Sequence, residues 1–234
     1  GEKGMSEFLS NSAYFGVLIS LAAYGLGSLL RSKLKCPLIN PLLISIILTI
    51  PAILLLNIDY ATYEEGAHYL SWLLTPATVA LAVPLYEQFE LLKKNIAAIT
   101  AGVVAGVLST LGSVLGLAVL FGFSHEEYIT FLPKSITTAI GMGVAEENGG
   151  IVPITVGVII ITGVIGNMLG DMLLKLFRIS EPVAKGIALG SSAHVMGTSK
   201  AMEIGEIEGA MSSLSVVVSG ILTVAAAALF ANFY

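Results

Sequence analysis

Apolar runs of about 20 residues, each long enough to cross a bilayer as a helix, follow one another along the chain. They cover residues 14–30, 37–56, 68–89, 96–123, 152–174 and 209–233, and short charged connections separate them. Two further stretches, 131–151 and 186–204, have the length of a span but not its composition. The pattern predicts an all-α polytopic membrane protein with about 7–8 hydrophobic segments, including broken or re-entrant helices. The run 68–89 is interrupted by Thr75-Pro76 and Pro84, which predicts a kinked or broken element.

The stretch 131–151, FLPKSITTAIGMGVAEENGGI, departs furthest from a plain span. It holds a lysine, three hydroxyls, two glutamates, an asparagine and four glycines. Each polar group in hydrocarbon costs several kcal/mol unless paired, so a lipid-facing helix of this composition is excluded. Pro133 suits a first helical turn. Ser135, Thr137 and Thr138 would then lie near a helix N-terminus, where free N–H groups favour an anion. The glycines let the backbone turn at membrane depth, which survives only inside protein or along a cavity. A short helix and polar loop capping a bundle is the alternative. The stretch 186–204, GIALGSSAHVMGTSKAMEI, is comparably polar and glycine-broken.

Composition strengthens the membrane assignment: 56% of residues are hydrophobic and 12% charged, with a mean hydropathy of +0.90. Soluble domains carry about 25% charged residues. The net charge of −5 is spread over short connections and gives nucleic acid nothing to hold. Residues 1–4 are read as an expression-tag remnant and 5–234 as a single integral membrane domain. The lone Cys36 excludes an internal disulfide.

Basic residues favour the cytoplasmic side of short connections. The clusters at 31–35, 93–94 and 175–185 therefore point inward, and the acidic connections at 59–65 and 124–127 outward. The third basic cluster fits only if 131–150 enters and leaves on the outer side. This places the N-terminus outside and the C-terminus inside. Residues 75–121 and 191–230 share an order of broken element, charged connection and long small-residue-rich span, which suggests an inverted repeat. Gly102, Gly106, Gly112 and Gly116 recur at four- to six-residue spacings and suit close helix packing.

His194 is the one histidine inside an apolar segment, flanked by Ser191, Ser192, Thr198 and Ser199. An intramembrane ionisable group is a functional candidate by default. It could bond a carboxylate, carry a coupled proton, or rest as a neutral histidine on helix backbone. Lys134 could supply positive potential or snorkel to an interface. Glu146 could relay protons, or stand with Glu147 in a solvated turn. Asp171 has helical spacing to Lys175 and reads as its structural partner. Asn40, Thr75 and Thr78, in the proline-interrupted runs, join Lys134, Ser135, Thr137, Thr138, Ser192, His194 and Thr198 as the candidate substrate-binding set. His194 and Glu146 are the proton-coupling candidates. No Cys/His spacing suits a metal, and no nucleophile elbow or Walker loop occurs, so neither an enzyme nor a cofactor is expected.

Four stretches, LLTPATVALAVPLYEQ, LPKSITTAIGMGVAEENGG, GIALGSSAHVMGTSKAMEIGEIEGAMSSL and the glycine-punctuated last run, resemble the LrgB/CidB family of bacterial membrane proteins. Ala139 stands where relatives often have proline, and Glu147-Asn148 makes a more acidic turn than usual. The resemblance implies a multi-pass protein of the bacterial inner (cytoplasmic) membrane, a homodimer, and a small LrgA/CidA-type membrane partner. It also implies one of two functions. One is secondary transport of small monocarboxylates (glycolate, glycerate, lactate or pyruvate). The other is antiholin-like regulation of murein hydrolase export and autolysis.

Overall fold

The computed structural model describes residues 14–34, 41–73, 76, 79–80 and 82–234, and helix is its regular structure throughout. The candidate-site residues Asn40, Thr75 and Thr78 and the thiol of Cys36 lie outside the described residues. The chain forms two compact units, residues 1–80 and 81–234.

In the first unit, α1 (Phe15–Leu34) packs against α2 (Pro41–Leu55) and α3 (Tyr60–Ser71). Ser20 and Tyr63 hydroxyls meet at 2.9 Å across α1 and α3. Tyr14, Tyr69 and Trp72 form a chain of ring contacts suited to a membrane interface. The acidic connection expected at 59–65 is helical: Asp59 is the N-cap residue of α3, and Glu64 and Glu65 lie on it.

The second unit opens with two short helices, α4 (Ala82–Glu87) and α5 (Phe89–Lys94). Next come α6 (Ile96–Phe121), α7 (His125–Phe131), α8 (Thr138–Asn148), α9 (Val152–Leu176), α10 (Pro182–Ile204) and α11 (Glu206–Phe230). Among the described residues four helices, α1, α6, α9 and the last, are long and apolar enough to cross a membrane. On α6, Ile99, Val103, Val107, Leu111, Val114 and Ala118 recur at three or four residues and are buried in one core. That spacing puts them on one stripe of the helix, which faces protein rather than lipid.

Both anomalous stretches are helical hairpins. In the first, α7 runs in, residues 132–137 turn, and α8 runs back. The return brings Gly150 against Ile129 and Thr130 and Gly141 close to the Pro133 carbonyl, and the Ile151 N–H donates to the Thr130 hydroxyl at 2.8 Å. In the second, α10 is interrupted by non-helical Ala193 and His194. Gly197 lies against the Leu189 carbonyl, eight residues earlier. Eight residues of straight helix span about 12 Å, so this contact requires the chain to double back. Residues 182–192 enter and residues 195–204 return.

The reversal corrects the expected topology. Gly186 lies against Glu208 and Met211, and Gly209 against Met202, so both arms of α10 flank the start of the last helix. Gly102 meets Ile187 and Gly106 meets Ser191, which puts the start of α6 at this same end. At the far end, the Tyr234 hydroxyl donates to the Phe123 carbonyl at 2.6 Å, and the Tyr234 carbonyl lies 2.7 Å from His125 Nδ1. The C-terminus therefore shares a face with the acidic connection 124–127, opposite the basic one, and not the reverse. A span at 186–204 would have inverted the last helix; a hairpin does not. For the same reason α6 and α11 run in the same direction, so 75–121 and 191–230 are not the inverted pair expected. The inverted relation joins the hairpins themselves, one entering from each end of the unit.

Candidate functional site

The two hairpin tips meet at α9. The Ile159 side chain packs on Gly141, next to the first hairpin's turn. The carbonyl of the same residue lies 3.0 Å from His194 Nε2, at the tip of the second. Further along α9, Gly163 faces the His194 ring and Met196, and Gly166 faces Ala193. Ile159 to Gly166 occupies the middle of this 25-residue helix. In a helix about 37 Å long, the tips thus come together near mid-depth.

The first tip carries the charge. Lys134 is partly buried, and its Nζ donates to the buried Ser135 hydroxyl at 3.0 Å. No carboxylate pairs with it among the described residues. The helix starts later than Pro133 suggested: Pro133 lies in the turn, Thr137 is the N-cap residue of α8, and Thr138 is its first helical residue. Proline fits the turn equally well, and the extended backbone of Thr137 (φ −65°, ψ 147°) marks the true start. The Thr137 side chain makes no capping bond. The first N–H groups of the 11-residue α8 therefore stand uncapped, four residues along the chain from the Lys134 ammonium. Both favour an anion.

The second tip is locked. His194 has φ 44° and ψ −139°, a region that non-glycine residues rarely adopt, and its side chain is buried. Such backbone costs about 1–3 kcal/mol and persists where its surroundings over-determine it. Here the surroundings are explicit. A carbonyl can only accept, so Nε2 carries the proton and Nδ1 is left as the acceptor of the neutral ring. Nδ1 has no partner among the described residues. The Asn167 amide donates to the Met196 carbonyl at 2.8 Å and ties the returning arm to α9. Thr198 bonds the His194 carbonyl at 3.2 Å and meets the Ser212 hydroxyl at 2.9 Å. Thr198 thus braces the hairpin.

Other candidates fall elsewhere. Glu146 is exposed in the last turn of α8, eight residues or about 12 Å of helix from Thr138, and is not brought to the tips. Gly149 (φ 85°) ends α8 there, and the Gly150 N–H returns to the Ala145 carbonyl at 2.7 Å. Ser192 points its hydroxyl to the Ala188 carbonyl at 2.6 Å, on the first arm. It faces a cleft of about 630 Å³ between α6 and that arm. Asp171 and Lys175 pair at 3.3 Å, as their spacing predicts. Sequence reasoning had assigned no role to the Ile159 carbonyl, Asn167 or Ser212. Asn167 was the legible signal, a lone amide in an apolar run.

The LrgB-like family model matches residues 20–233. The chain belongs to the LrgB-like family. It is 39% identical over 214 residues to the antiholin-like protein LrgB of Bacillus subtilis (strain 168), covering 91% of this chain and 93% of the relative. The antiholin-like protein LrgB of Bacillus mycoides (strain KBAB4) is 38% identical over 221 residues, covering 94% and 96%. No solved structure matches. The protein is thus a multi-pass membrane protein of the LrgB-like family and not an enzyme.

Proposed function

We propose that this protein is a secondary transporter of small monocarboxylates, binding them where the two hairpin tips meet. The observation that carries the reading is that one residue, Ile159, touches both Gly141 of the hairpin that holds the uncompensated, partly buried Lys134 and the buried His194 of the other hairpin. An isolated cation at depth is costly until an anion neutralises it. The α8 N-terminus, the Lys134 ammonium and the Thr137 and Thr138 hydroxyls offer a carboxylate its donors. His194 enters as the proton carrier. A proton taken up at Nδ1 turns that atom from acceptor to donor and adds positive charge beside the anion, so proton and carboxylate favour each other's binding. Glycolate, glycerate, lactate and pyruvate fit this chemistry, since each adds a hydroxyl or keto oxygen beside the carboxylate.

The relatives are antiholin-like proteins by name, which favours a second reading, an antiholin-like membrane regulator; the family resemblance adds a small membrane partner. Such a role needs membrane helices and an assembly surface. It does not need an unpaired cation and a strained histidine at mid-depth.

Counterflow of labelled glycolate, lactate and pyruvate into proteoliposomes holding the purified chain alone tests the proposal. Accumulation of at least one of them, saturable and dependent on Lys134, is the expected result. No flux of any substrate, with flux or autolysis appearing only when the partner is added, would favour the regulator.

A further inference from the structure

The cleft between α6 and the first arm of α10 has no part in the binding chemistry above. It begins at Asn95 and Glu181, beside the basic connections, and ends at Ser191 and Ser192, just before the hairpin tip. On α6 it runs from Asn95 to Thr110, about 22 Å of helix and more than half of the hydrocarbon thickness.

Its lining is mostly apolar surface, but polar groups run along its whole length. Asn95, Ser109, Thr110, Glu181, Ser191 and Ser192 all contribute to the lining. Ser191 and Ser192 turn their hydrogens to the carbonyls of Ile187 and Ala188, which leaves their oxygen lone pairs toward the cleft. The hydroxyls of Ser109 and Thr110 and the Glu181 carboxylate have no partner among the described residues. Glu181 sits in the charged connection at the mouth, where water already reaches it; in hydrocarbon each of the two hydroxyls would cost several kcal/mol, whereas water satisfies both. The opposite side of α6, at the same depth, is apolar: Val104 and Leu108 are exposed. One helix thus carries a polar, small-residue face at the cleft and a lipid face behind it.

We infer that this cleft is a water-filled vestibule through which a small hydrophilic solute reaches the hairpin tip from the basic end of the unit. The inference rests on the transport reading for its solute but not for its water. Gly102 and Gly106 let the first arm of α10 approach α6 closely along the floor of the cleft, and the small side chains of Ala184 and Ala188 leave its wall open. The cleft stops two residues short of His194, so the second hairpin closes its inner end.

Single cysteines at Ser109, Ala188 and Leu108, in a Cys36→Ser background, test it. The probe is a charged, water-soluble thiosulfonate added on both sides of proteoliposomes. Labelling at Ser109→Cys and Ala188→Cys at least tenfold faster than at Leu108→Cys is expected. Equal, slow labelling at all three would make the cleft a lipid-filled groove and overturn the inference. Counterflow by the unlabelled wild-type chain reports on transport separately. If it shows flux, labelling Ser109→Cys should reduce that flux at least tenfold, and labelled protein with undiminished flux would overturn the access role. If it shows none while the labelling contrast holds, the transport reading falls and the vestibule stands as an aqueous cavity.

Discussion

The two hairpins enter from opposite ends, meet at one residue, and are built on contrary principles. The first turns over six residues, 132–137, around Lys134 and Ser135, and leaves the start of α8 uncapped. The second turns over two residues, with a positive φ at His194, and is tied down by the bonds of His194 Nε2, Asn167 and Thr198 to their neighbours. A loose turn keeps unsatisfied donors available to a ligand. A tight one uses its donors to hold shape, and the only chemistry left over is at the imidazole Nδ1. On the transport reading proposed above, ligand recognition falls to the first tip and proton handling to the second.

Breaking the tight tip should have the largest effect. A β-carbon at Gly197 would run into the Leu189 carbonyl, which is backbone and cannot rotate away. Gly197→Ala should cost about 3 kcal/mol, the top of the range for overpacking, and be seen as a lowered melting temperature with flux lost. Unchanged melting would mean the arms are not that close.

His194→Gly separates shape from chemistry at the same tip. Glycine accepts a φ of 44° without strain, and this offsets the loss of a hydrogen bond worth about 1 kcal/mol. Melting should stay near wild type while counterflow falls to background and its pH dependence disappears. Wild-type flux in this variant would remove His194 from the mechanism.

At the loose tip, replacing Thr137 and Thr138 together by valine keeps shape and removes two donors. Each lost bond to a charged group costs roughly 1.5–3 kcal/mol, so affinity should drop about a hundredfold or more. Thermal stabilisation by the best-transported carboxylate measures this, because a ligand that binds only the folded state raises its stability. If the double variant kept the full stabilisation, the backbone N–H groups and Lys134 would be the whole site. The smallest effect is expected at Asp171→Asn. That pair with Lys175 is largely exposed, and such pairs are worth about 0–1 kcal/mol, so flux and melting should barely move.

The corrected direction of the last helix can be checked without any substrate. A cysteine at Glu126 and one appended after Tyr234 should react with an impermeant reagent from the same side, and one at Lys94 from the other. Opposite sidedness for Glu126 and the C-terminus would restore a spanning α10.

The sequence alone determined that this is a helical membrane protein, and that residues 131–151 and 186–204 are not ordinary spans. Those conclusions follow from local quantities: run length against bilayer thickness, and the cost of unpaired polar groups in hydrocarbon. Pairs held at short helical range, such as Asp171 with Lys175, were legible for the same reason. What the tertiary structure decided is direction. The sequence marked a break near His194 but carried no local sign of whether the chain continues or reverses there. Its glycines did not mark the turn either: the backbone reverses at Ala193 and His194, while Gly197, Gly163 and Gly166 make room for the tip from beside it. The turn is held by the carbonyl of Ile159, the amide of Asn167 and the hydroxyl of Ser212, contributed by helices 14 to 35 residues away in the chain. Groups at that separation leave no period to read, and so the meeting of the two tips, and the side on which the chain ends, emerge only when the helices pack.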